Sequence, residues 1–223
     1  MQIYKKMDRY FYEKVFSTQR MEKYFNNYPN DEKKALLHYT CNIELSESFY
    51  SVLSMFEVAL RNSMNRELTE YFGTSDWYLK IDAVNGLRNL RNSINTAKRH
   101  IANRNETVTA NKVVAELTLG FWVRLLNAEY ERILWKPLRK AFPYIEKSER
   151  QRNNISAPVN KIRDFRNRVF HHEPISWRID KLEETHNRII MVMSWINKDL
   201  PQLVNTIDRV PHVIEKVKQN NIG

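Results

Sequence analysis

Glycine is scarce in this chain, with four in 223 residues. Sheet proteins with many hairpins need glycine and Asn-Gly or Asp-Gly pairs at tight turns, so the scarcity favours long helices. Cysteine is scarcer still. The single Cys41 excludes an intramolecular disulfide and fits a reducing, cytoplasmic setting. No apolar run reaches the roughly 20 residues of a membrane-spanning helix. The opening Met1-Gln2-Ile3-Tyr4-Lys5-Lys6 has no apolar signal core, so no membrane association is expected. There is no glycine-rich phosphate loop, no Gly-x-Ser-x-Gly and no Cys–His signature, which disfavours a nucleotide-hydrolysing engine and a hydrolase triad. His171-His172-Glu173 lacks the i, i+4 histidine pair of a helical zinc site, and His38, His100, His186 and His212 are scattered. No metal and no other cofactor is therefore expected.

What is abundant is positive charge. Thirty-six Lys and Arg against 26 Asp and Glu give a formal charge of +10, which suggests a polyanionic partner such as RNA. A basic surface that serves only solubility satisfies the same number.

Apolar spacing by threes and fours predicts an all-α chain in one helical domain, residues 1–223. A first helix is expected from Asp8 to Tyr28, ending at Pro29. Asn30-Asp31-Glu32 then caps a long helix from Glu32 to Tyr71, with one break allowed for, and Gly73 ends it. Ala83 to Asn105 contains no acidic residue. Leu87, Leu90, Ile94, Ala97 and Ile101 form its dry stripe, and Arg88, Asn92, Asn95 and Arg99, flanked by Arg91 and Lys98, form a basic, amide-rich wet face. That face is either a solvated bundle surface or a track along a phosphate backbone. Gly120 is expected to mark a close packing or a break, Pro137 a kink, Pro158 a new start, and Pro211 an interruption of a last helix over Val204–Lys218.

The densest chemistry lies in Arg166-Asn167-Arg168-Val169-Phe170-His171-His172-Glu173-Pro174. Arginine neutralises phosphate and histidine moves protons near neutral pH, which together suffice to cut RNA without a metal. Arg163, Asn167 and His171 are spaced by four and share a helix face. Pro174 stops the helix at or before Glu173, leaving both histidines at a frayed, accessible end. Each residue also has a plainer role. Arg166 follows the line Ile155, Val159, Ile162 and could be a buried, paired arginine. His172 could cap the helix terminus, and Arg168 could be a solvated charge. Arg61-Asn62 repeats the Arg-Asn pair, with Glu57 one turn before it as an ion-pair partner. Phe121 and Trp122 read as core.

Three separated blocks resemble one family. Asn42-Ile43-Glu44-Leu45-Ser46-Glu47-Ser48-Phe49-Tyr50 through Glu57-Val58-Ala59-Leu60-Arg61-Asn62 looks like the central helix of bacterial Abi-like, abortive-infection proteins. Glu116-Leu117-Thr118-Leu119-Gly120-Phe121-Trp122-Val123 resembles their "ELTxGFW" segment. The Arg166–Pro174 stretch is similar to their "RNxxxHHEP" end, a form of the HEPN ribonuclease pattern. The blocks stand in family order over roughly residues 40–175, and the first thirty-odd residues contribute nothing distinctive.

The resemblance implies a HEPN-like multi-helix bundle, usually a homodimer, whose two motifs face each other in one composite, metal-independent endoribonuclease site. It implies anti-phage defence or toxin–antitoxin behaviour, with a noncoding RNA or a protein as antitoxin. Arg166, Asn167, His171 and His172 are then the catalytic candidates. Arg61, Asn62, Arg88, Arg91, Lys98, Arg99, Arg163 and Arg168 are the candidates for binding RNA. One copy offers few groups for both acid and base roles, which is a physical reason to expect a two-fold axis near His171 with an apolar contact drawn from Val169, Phe170 or Trp177. A non-catalytic RNA-binding module is the alternative.

Overall fold

The computed structural model describes residues 8–222, and every regular element among them is helical. The opening Met1 to Lys6, read for a signal core, lies outside the described residues. No described helix is long and apolar enough to cross a membrane.

One helix organises the rest. α3 (Glu32–Phe72) runs unbroken for 41 residues, a rod about 60 Å long at 1.5 Å per residue. Neither glycine nor proline occurs within it, so nothing in the sequence forces the expected break. Asp31 caps its start by accepting from the Lys34 N–H, and Gly73 (φ 68°) closes its end in the left-handed conformation that glycine takes without penalty. Leu45, Phe49, Val52, Phe56, Leu60, Met64 and Leu68 are all buried along it.

Most of the remaining helices pack directly on this rod, and the others pack on those or on each other. α1 (Arg9–Phe16) and α2 (Thr18–Asn27) replace the single helix expected from Asp8 to Tyr28. Ser17 breaks it at φ 77°, and its Oγ caps α2 by accepting from the Arg20 N–H. The break lets α1 fold back, so that Arg9 lies over the Phe25 ring and Phe16 meets Tyr39. α4 (Arg91–Asn103) buries the expected stripe of Ile94, Ala97 and Ile101. α5 (Ala110–Glu116) and α6 (Leu119–Arg124) are separated at Leu117–Thr118 rather than at Gly120. Thr118 caps α6, and Gly120 has room beside it.

α7 (Glu131–Leu138) contains Pro137 near its end and tightens into the 3-10 turn Arg139–Ala141. α8 (Arg152–Phe170), the motif helix, continues through Pro158. α9 (Ile179–Ile196), α10 (Leu200–Asn205) and α11 (Val210–Gln219) complete the chain. Pro211 begins α11 instead of interrupting a longer helix, a position where its missing N–H costs nothing. His186 on α9 bonds Asp208 at 2.5 Å, fixing the turn before α11. Burial pushes the Asp208 carboxyl up, but His186 and the Val210 N–H outweigh it and hold it below the usual range.

Behind the motif helix, His38 of α3 is fully buried. It bonds the Tyr28 hydroxyl at 3.2 Å and the Ser176 hydroxyl at 2.9 Å, under the Trp177 ring. Burial pushes its imidazole down to about 4, with the Lys34 ammonium acting in the same direction. Below pH 6.5 the unfolded chain takes up a proton that the folded chain refuses until about pH 4. Stability from this site is therefore complete above pH 6.5 and falls as pH drops toward 4. Denaturant unfolding across that window should show the loss, and His38→Gln should flatten it. An unchanged slope in the variant would contradict the assignment.

Candidate functional site

The motif ends α8 in a Schellman turn. The His172 N–H donates to the Val169 carbonyl at 3.1 Å, and the Glu173 N–H donates to the Arg168 carbonyl at 2.9 Å. These two bonds satisfy carbonyls that a helix end leaves orphaned. His172 occupies the left-handed position of that turn at φ 57°, where glycine is usual and another residue is strained by about 1–2 kcal/mol. Arg168 staples the turn from outside, bonding the Pro174 carbonyl at 2.5 Å and pairing with Glu173 at 3.4 Å. It is thus engaged with its own turn rather than standing free for phosphate.

The expected fraying is absent, because the segment that follows is held by α3. Asn42 Oδ1 accepts from the Ile175 N–H at 2.7 Å and the Ser176 N–H at 3.1 Å. Arg20 of α2 donates to the His172 carbonyl at 2.8 Å. His171 and His172 are exposed all the same, as is Asn167. Among the described residues, none of these three side chains makes a hydrogen bond. They are accessible, on a fixed backbone, with their donors and acceptors open.

Arg166 is different. Its side chain is 27 % exposed and pairs with Glu57 of α3 at 3.3 Å. Its guanidinium lies 4.1 Å over the Phe170 ring, and its buried Nε has no partner. The plainer reading of a paired, half-buried arginine describes this state. The single long contact nonetheless leaves most of its five donors unused. Glu57 faces Arg166, and the expected Glu57–Arg61 pair does not form; Arg61 Nε instead meets Asn62 Oδ1 at 3.2 Å. Arg61 lies one helical turn along from Glu57, near the motif. Arg163 chelates Asp164 through two nitrogens.

The basic residues of α4 belong elsewhere. The turn before α4 is tied through Trp77 to Asn65, far along α3 from Asn42. Twenty-three residues of straight helix put those anchors about 35 Å apart. Arg88, Arg91 and Arg99 are exposed there, and Lys98 is half-buried over the Tyr78 ring. The candidate RNA-binding residues therefore do not gather at one place: Arg88, Arg91, Lys98 and Arg99 lie on or just before α4, Arg163 and Arg168 on α8, and Arg61 and Asn62 on α3, about one turn from Asn65. Of the expected apolar contacts, Val169 is core and Trp177 packs on His38 and Tyr24. Phe170 stacks on Tyr50, which is 59 % exposed.

Sequence reasoning missed Arg20, Phe16 and Tyr39 beside the motif turn, and the anchoring role of Asn42. An amide between Cys41 and Leu45 on a buried stripe was the one available signal. Among the described residues no three His, Cys, Asp or Glu side chains converge as a metal site would need. No protein-family model, curated protein or solved structure matches the chain.

His172→Gly should relieve the left-handed strain and raise stability by about 1 kcal/mol, read as a higher urea midpoint. A lower midpoint would mean that the imidazole contributes contacts that outweigh the strain.

Proposed function

We propose that this chain is a metal-independent endoribonuclease of the Abi-like, HEPN type, serving as an anti-phage abortive-infection effector or toxin. One observation carries the reading: two exposed imidazoles and an amide, without hydrogen bonds among the described residues, stand on a braced turn beside a partly committed arginine. An imidazole there can take the proton of a ribose 2′-hydroxyl, and a second can protonate the leaving 5′-oxygen. The attack forms the 2′-oxygen–phosphorus bond and breaks the 5′-oxygen–phosphorus bond, leaving a 2′,3′-cyclic phosphate and a 5′-hydroxyl. Arg166 stabilises the charge growing on the non-bridging phosphate oxygens once phosphate displaces Glu57. DNA, lacking the 2′-hydroxyl, is inert.

A homodimer supplies the second set of groups. The exposed Tyr50, stacked on Phe170, and Ile43, 50 % exposed one heptad earlier on α3, support an apolar contact beside the motif. The Glu57–Arg166 pair favours a second reading, an RNA-binding module with an idle motif. Incubation with total bacterial RNA in EDTA separates the two. Wild type should yield discrete cuts with cyclic phosphate ends, and His171→Ala should be slower by about 100-fold or more, the usual worth of a general acid or base. RNA retained without cuts by a folded wild-type dimer would select the binding module.

The α4 face predicts a separable effect. Arg88→Gln with Arg99→Gln should weaken RNA binding and lower the salt dependence by about one unit of slope per cation. Cleavage of bound RNA should proceed at the wild-type rate. An unchanged salt slope would make that face a solvated surface only.

A further inference from the structure

A cavity of about 340 Å³ opens beside the motif turn, between α1, α2 and α3. Its walls include the rings of Phe16 and Tyr39, whose centroids lie 5.4 Å apart. Arg20, Asn42, Ser46 and His172 complete the lining used here. The volume lies in the range of small-molecule pockets, and the pattern of apolar walls with few polar groups is the usual one.

The polar groups are mostly donors. Asn42 is only 5 % exposed. Its Oδ1 receives two backbone N–H bonds, which fixes the orientation of the amide. Nδ2 therefore points away from that pair, and among the described residues it donates to nothing. That unspent donor lines the cavity and is open to a ligand that enters it. Arg20 spends one N–H on the His172 carbonyl and keeps further donors for a ligand. The Ser46 hydroxyl donates to the Asn42 carbonyl, so its proton is already used.

We propose that this cavity is a nucleobase pocket for single-stranded RNA, selecting bases that present carbonyl oxygens. This rests on the reading of the motif turn as an RNA site. A base stacks on the exposed Phe16 ring, with the tilted, buried Tyr39 ring closing the wall behind it, as unpaired bases do on aromatic side chains. Arg20 and Asn42 Nδ2 donate to its edge. Guanine offers O6 and N7 and uracil offers O4 and O2, whereas adenine carries no carbonyl. Because His172 belongs both to the cavity lining and to the turn, a base seated here has its phosphate next to the motif. The pocket thus sets the base beside the cut.

The test is an NMR titration of the full chain with GMP, UMP and AMP. GMP and UMP should bind at least about 10-fold more tightly than AMP, with shifts at Phe16, Tyr39 and His172. Phe16→Ala and Arg20→Gln should abolish the preference. Asn42→Asp retains the acceptor for Ile175 and Ser176 but removes the donor, and should abolish it too. His171→Ala should keep it. Equal binding of AMP, wild-type binding by Phe16→Ala, or shifts confined to α4 would overturn the pocket. The readout needs no turnover, so an inactive motif leaves the binding result legible. RNA cuts with no base preference would overturn the pocket while leaving the ribonuclease reading intact.

Discussion

A single amide oxygen ties the motif to the scaffold. Asn42 Oδ1 receives the N–H groups of both Ile175 and Ser176, from more than 130 residues away in sequence. Each of those buried N–H groups would cost about 1–3 kcal/mol if left without an acceptor. His38, one turn earlier on α3, holds the Ser176 hydroxyl, and Arg20 holds the His172 carbonyl. The turn carrying the histidines is thus bounded by its own Schellman bonds on one side and by α3 on the other. A helix end would normally fray; here the 41-residue rod lends it rigidity. Catalytic and binding groups need such bracing, since small displacements weaken oriented contacts.

The rod also spaces its attachments. Asn42 and Asn65, which hold the motif turn and Trp77, stand about 35 Å apart along it. Acidic residues do much of the sorting locally. Arg104 lies between Glu106 and Glu116, and Glu116 also holds His100 at 3.1 Å. Glu116, the first residue of the second family-like block, is thereby explained as a structural partner of α4. Net charge describes none of this arrangement, because it sums paired and unpaired cations alike.

The helical class was legible because its signal is local. Apolar spacing along α3 and α4 and the Asp31 and Gly73 caps depend on residues within a few turns. The errors arose where tertiary packing overrode a local cue. Ser17 breaks a helix so that Phe16 can reach Tyr39, and Pro158 passes within α8, whose buried face holds it in line. In the site, spacing placed Arg163, Asn167 and His171 correctly on one run of chain. It could not supply Glu57 for Arg166, nor Asn42 and Arg20 for the turn, because those partners come from other helices. The first thirty residues looked uninformative for the same reason: their aromatic and basic side chains acquire meaning only against α3.

The backbone of His172 bears on the choice between a structural and a chemical role. A turn chosen for stability alone would carry glycine at φ 57°, or asparagine, which tolerates that region. Histidine accepts a strain of about 1–2 kcal/mol there and, among the described residues, its side chain gains no hydrogen bond in return. The two Schellman bonds are made by backbone N–H groups that glycine would supply equally well. Strained backbone of this kind clusters at functional sites, which favours the proposed chemical role. The left-handed turn also aims consecutive side chains apart, which separates the two imidazoles: one lines the cavity and the other stands at the end of α8.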